Sequence, residues 1–128
     1  MGNLEPAQNK QISIEQGGPS VGDTLRTEAL IERALLDGKM DFRMINNLHM
    51  FPSTQICQAC MDSAASVSIA RKDPPGSEAV DARSVLSILT LGAPQGTVLT
   101  VSVQGEGAAD IWGKFFKLQL WAAEPEER

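Results

Sequence analysis

Between Met40 and Trp121 the apolar residues of this chain repeatedly change their spacing, from every second residue to every third or fourth, and no other feature limits its fold so tightly. Side chains alternate between two faces along a strand but return to one face of a helix about every 3.6 residues, so each change of period marks a change of element. Met40-Asp41-Phe42-Arg43-Met44 alternates as a half-buried strand does, and Asn46-Asn47 supplies turn chemistry at its end. A loop holding His49 follows. Pro52 predicts the start of a helix, because its missing N–H would be unpaired there anyway, and Ile56, Cys57, Ala59 and Cys60 form an apolar stripe running to about Ser63. Ser66 to Ala70 alternates again, and Asp73-Pro74-Pro75-Gly76 is a turn leading to a second strand near residues 78–81. Ser84 to Leu91 carries Val85, Leu86, Ile88 and Leu89 at helical spacing and stops at Gly92, whereas Thr97 to Val103 is a β-branched alternating strand. A last helix begins after Gly107 and turns Ile111, Trp112, Phe115, Phe116, Leu118 and Trp121 toward a core. The expected order is strand, helix, strand, strand, helix, strand, helix.

The chain's 128 residues suit one core with one flanking extension. Residues 1 to 22 mix Gly, Pro, Gln, Asn and Ser and read as flexible, with one short alternating patch at Gln11 to Glu15. From Leu25, the residues Ala29, Leu30, Ala34 and Leu35 recur at helical spacing, Asp23 or Thr24 is placed to cap the first turn, and Gly38 is placed to end the helix. Residues 1–38 are therefore expected to form an extension with a helix at 23–37, and residues 39–128 the domain. No apolar run approaches the roughly 20 residues that a membrane helix needs, so no membrane insertion is expected. The first twenty residues hold no secretory-type apolar run, and the chain reads as cytoplasmic.

Charge narrows the ligands. Six acids against three bases lie in residues 1–38, and Glu124, Glu126 and Glu127 face only Arg128 at the other end, which leaves residues 39–123 close to neutral. With no Tyr and no basic stripe interleaved with aromatics, nucleic acid is not the expected ligand. The only two cysteines form the run Cys57-Gln-Ala-Cys60. A redox pair belongs at a helix start directly after a strand, and this pair lies more than a turn inside. Zinc takes four ligands, and His49 with two cysteines leaves one missing. Small buried side chains are the simpler reading, so no metal or organic cofactor is expected and a thiol redox protein is the weakest alternative.

Two blocks resemble HPr, the histidine-containing phosphocarrier of the bacterial sugar phosphotransferase system, over about residues 40 to 122. One is Ser84-Val85-Leu86-Ser87-Ile88-Leu89-Thr90-Leu91-Gly92-Ala93-Pro94-Gln95-Gly96-Thr97-Val98, similar to the family's serine-led short helix, its Leu-Gly stop and its Gln-Gly-Thr turn into the last strand. The other is Asn46-Asn47-Leu48-His49-Met50-Phe51-Pro52-Ser53, similar to the family's Asn-Gly-Leu-His-x-Arg-Pro-Ala. The resemblance implies an α+β open-faced sandwich, βαββαβα, in which a four-stranded antiparallel sheet carries three helices on one face.

It also implies that His49 carries a phosphoryl group taken from phosphoenolpyruvate through enzyme I and passed to a sugar-specific enzyme IIA or a regulatory acceptor. Such a protein is a carrier and not an independent enzyme. A neutral imidazole is nucleophilic, and the free backbone amides of Met50 and Phe51 are placed to hold the phosphate. Ser84 matches the family's regulatory serine and equally an N-cap, while Met50, Val85 and Leu86 are expected either to dock partners or to enter the core. The sequence departs from the family in three places. Asn47 replaces a glycine, Ser53 an alanine, and Phe51 the arginine whose guanidinium bonds the transferred phosphate. Arg43, Arg83, Arg26 and Arg33 stand as candidates to replace it. Loss of that cation also raises the alternative of a regulatory interaction module without relay chemistry.

Overall fold

The computed structural model describes residues 21–125. Residues 1–20 of the expected flexible segment and the last three residues of the acidic tail lie outside them, whereas Val21 and Gly22 are already helical. Helix α1 spans Val21–Asp37, and a division between Leu30 and Ile31 separates its first part from a larger unit that carries the sheet. Gly38 ends α1 as expected. It adopts φ 75°, a left-handed conformation that costs glycine little, and its N–H donates to the Ala34 carbonyl at 2.8 Å.

The larger unit continues with β1 (Lys39–Met44), α2 (Met50–Cys60), β2 (Ser66–Arg71), β3 (Val80–Asp81), α3 (Val85–Leu89), β4 (Val98–Gln104), α4 (Ala108–Lys117) and β5 (Trp121–Ala123). The strands form one antiparallel sheet in the order β3-β2-β4-β1-β5. Met40, Phe42, Met44, Val67, Ile69, Leu99, Val101 and Val103 are buried on one face, against Ile56 and Cys60 of α2, Ile88 of α3 and Ile111, Trp112 and Phe115 of α4. This is the expected open-faced α+β sandwich, with α2, α3 and α4 over that face.

Among the described residues five strands stand where the sequence predicts four. The apolar spacing that runs through Leu118 to Trp121 reads as more helix, but α4 stops at Lys117 and Leu118 turns extended at φ −68°, ψ 138°. Two interactions outweigh helical continuation. Residues Trp121 to Ala123 pair with Met44 to Phe42 on the edge of β1, and the Trp121 indole N–H donates at 2.9 Å to the Phe115 carbonyl, which also accepts the Leu118 N–H at 3.2 Å. Other limits move less. Helix α2 begins at Met50, two residues before Pro52, which proline tolerates because the third helical position also needs no N–H partner. Helix α3 is shorter than expected, with Thr90 to Gly92 closing it in turns.

On the other face of the sheet Asp41 is buried although the alternation puts it outward. Lys72 donates to its carboxylate at 2.7 Å and Thr100, its register partner on β4, at 2.8 Å. Beside it Arg43 grips Glu124 through two N–H donors at 2.6 and 2.7 Å, which raises the guanidinium's proton affinity and holds the Glu124 carboxyl below the ordinary carboxylate range. That contribution is present above the unfolded carboxylate's pKa and fades as the pH falls through the lower folded one. Solvent around both groups screens it.

Phe42 meets Trp121 at 4.5 Å between ring centroids, Phe116 at 5.4 Å and Trp112 at 6.5 Å. Phe42→Ala is expected to cost about 3–5 kcal/mol of unfolding free energy, measured by urea denaturation, because the cavity left at the centre of the cluster cannot collapse.

Candidate functional site

The segment between β1 and α2 is held by main-chain bonds from both sides. The Ile45 N–H donates to the Leu120 carbonyl at 2.9 Å, the Leu48 N–H to Ala93 at 2.8 Å, and the Gly96 N–H back to Met44 at 2.9 Å. Asn47 adds a bond that the family's glycine has no side chain to make, since its Oδ1 accepts from the Gln95 N–H at 2.8 Å. With Leu48 buried, His49 is presented at the surface as the N-cap of α2, in extended conformation at φ −121°, ψ −162°.

Its side chain makes no capping bond. The Ser53 N–H donates to the His49 carbonyl at 3.0 Å and closes the first turn. Met50 and Phe51, as the first two helical residues, have N–H groups with no intrahelical acceptor, and Pro52 has no N–H at all. The positive end of the helix dipole and two free donors therefore lie next to the imidazole, which is the arrangement that binds an anion.

His49, Phe51, Pro52 and Gln55 share an open groove of about 640 Å³ with Asn46, Asn47, Gln95 and the 117–120 segment. Of the described side chains lining it only Lys117 carries a permanent charge. Three of the four arginines named from the sequence are engaged elsewhere. Arg43 is spent on Glu124 and on the Gly96 carbonyl, Arg83 donates to the Ser63 carbonyl, and Arg33 pairs with Asp37 at 3.8 Å. Neither Arg43, Arg83 nor Arg33 lines the groove. Lys117 escaped the sequence reading because nothing in a single chain says that the last turn of α4 ends beside the first turn of α2. Its one signal is being a cation at the end of an amphipathic helix.

Met50, Phe51 and Leu86 are exposed and Val85 is half-buried, on helices α2 and α3, which pack against each other. Ser84 is the N-cap of α3, its Oγ accepting from the Ser87 N–H at 3.2 Å. Cys60 is buried, and desolvation pushes its thiol up to about 11, far from a thiolate at neutral pH, while Cys57 donates to the Arg83 carbonyl at 3.2 Å. Among the described residues no three His, Cys, Asp or Glu side chains gather as a metal would need. None of the described helices is long and apolar enough to cross a membrane.

A family model described as the PTS HPr component phosphorylation site matches residues 39–118. Among solved structures, the chain is similar to an HPr-C-His protein from Thermoanaerobacter tengcongensis, with a TM-score of 0.55 at 21% identity, covering 62% of this chain and 88% of that one. A histidine-containing phosphocarrier protein of Mycoplasma gives 0.54 at 16% identity, covering 64% and 96%. The phosphocarrier protein HPr from Bacillus anthracis strain Ames gives 0.51 at 19% identity, covering 59% and 87%. At these identities the likeness to solved structures speaks for the fold. No curated protein matches the chain.

Ser84→Ala is expected to lower stability by about 1 kcal/mol in urea denaturation, and Ser84→Asp, which keeps an acceptor, to lose less. Ser53 is fully buried and its hydroxyl has no partner. Ser53→Ala should therefore hold or raise stability by up to about 1 kcal/mol, since an unpaired buried hydroxyl is a cost that the family's alanine avoids.

Proposed function

Because the chain belongs to the HPr family of the phosphotransferase system, we propose that it relays a phosphoryl group through His49, taken from phosphoenolpyruvate by way of enzyme I and passed to an enzyme IIA or a regulatory acceptor. The observation that carries this reading is the surface-exposed imidazole at the N-cap of α2, with the Met50 and Phe51 N–H groups unpaired beside it. In the transfer, the lone pair of the neutral His49 ring attacks phosphorus while the donor histidine's P–N bond breaks and its electron pair returns to the donor ring. One P–N bond replaces another, so no cofactor or further reactant is needed. The two amides hold the phosphoryl oxygens as the group arrives.

The groove is much wider than a phosphoryl group, and a partner's surface fills the rest. Met50, Val85 and Leu86 supply apolar contact for that docking, with Ser84 as the regulatory phosphorylation site between site and partner. Residues 39–128 form the relay domain in this reading, residues 1–38 an extension, and the protein works in the cytoplasm. A second reading, an interaction module without relay, is favoured by one observation. Phe51, 68% exposed, puts an apolar ring where the family has its phosphate-binding arginine.

Incubation with enzyme I and labelled phosphoenolpyruvate separates the two. Acid-labile label on the protein, lost in His49→Ala, is the expected result. An intact complex with enzyme I that leaves the protein unlabelled favours the interaction module.

A further inference from the structure

Phe51 leaves the phosphoryl group without its usual cation, and the groove contains another. We propose that Lys117 ion-pairs with the phosphoryl group on His49 and so takes over, from the opposite helix terminus, the charge that the family places two residues after the histidine. This rests on the relay through His49 and adds to it the residue that neutralises the phosphate.

Three observations support the assignment. Among the described residues Lys117 is the single permanently charged side chain along the groove that holds His49 and Phe51. It is exposed, and it makes no ion pair or hydrogen bond with the described residues, in contrast to Lys114 one turn earlier, which pairs with Asp110 at 3.2 Å. The segment that follows it is tied to the histidine loop by the bond from the Ile45 N–H to the Leu120 carbonyl, so the end of α4 and the start of α2 keep their relation. The amide side chains of the groove, Asn46, Asn47, Gln55, Gln95 and Gln119, carry donors, and among the described residues no acid lines it to compete for the ammonium. A dianion seated there meets two main-chain N–H groups and one flexible cation. Lysine is a point charge on a long stem and lacks the planar fork of arginine, so it neutralises the group while leaving it free to depart.

The ordinary alternative is that Lys117 only complements the carbonyl end of α4. Phosphorylating the protein with phosphoramidate, whose P–N bond breaks to release ammonia as the bond to His49 forms, tests the point without any partner. In the wild-type protein the ³¹P resonance is expected to titrate at lower pH than in Lys117→Gln, because the cation favours the doubly ionised phosphate. Transfer from phosphorylated enzyme I should fall roughly 10- to 100-fold in Lys117→Gln, as expected for losing one charge-assisted contact. Lys117→Arg should retain it, Phe51→Arg should rescue Lys117→Gln, and Lys114→Gln should leave transfer and titration unchanged. Coincident ³¹P titrations with equal transfer rates in wild type and Lys117→Gln overturn the assignment and leave the relay standing. A wild-type protein that neither reagent labels at His49 overturns both.

Discussion

The ring of Phe42, closed in by Trp121, Phe116 and Trp112, joins two parts of the chain that are far apart in sequence. It stands on β1, its neighbours on α4 and β5, and their burial holds the end of α4 against the strand that leads into the histidine loop. Apolar burial of this kind has no direction of its own. Direction comes from the polar contacts around it, namely the pairing of β5 with β1, the Trp121 bond to the Phe115 carbonyl and the Ile45 bond to Leu120. Through them a packing constraint in the core sets where the 117–120 segment lies relative to His49.

The electrostatics of the site follow from the same geometry. An arginine near in sequence is of no use if its donors are already engaged, and all three donor groups of the Arg43 guanidinium bond either Glu124 or the Gly96 carbonyl. What remains for an incoming anion is the unpaired start of α2 and one lysine. Main-chain donors held by a helix need no reorganisation when charge arrives, which would suit the proposed relay, where a group is accepted and released in turn.

Much of this was legible in the chain. The period-two runs at Met40 to Met44, Ser66 to Ala70 and Thr97 to Val103 became the three long strands, and the Asn-Asn-Leu-His and Gln-Gly-Thr blocks became the loop and turn that now touch. Periodicity works there because each face sees a single environment, core or solvent. It failed at Leu118 to Trp121, where spacing that suits a helix also suits a turn followed by a short strand, and at Asp41, whose partners Lys72 and Thr100 lie on other segments.

The kind of fold, the family resemblance and a histidine just ahead of a helix could be read along the chain, because they depend on local pattern and on short blocks within one stretch of residues. Packing in three dimensions set the cation that faces the groove, the bond from Gln95 to Asn47 and the fifth strand at the sheet edge beside β1. The reason is one of range. Period and capping act over a few residues, whereas charge and hydrogen bonding act through space, between groups that only the packed core brings within reach.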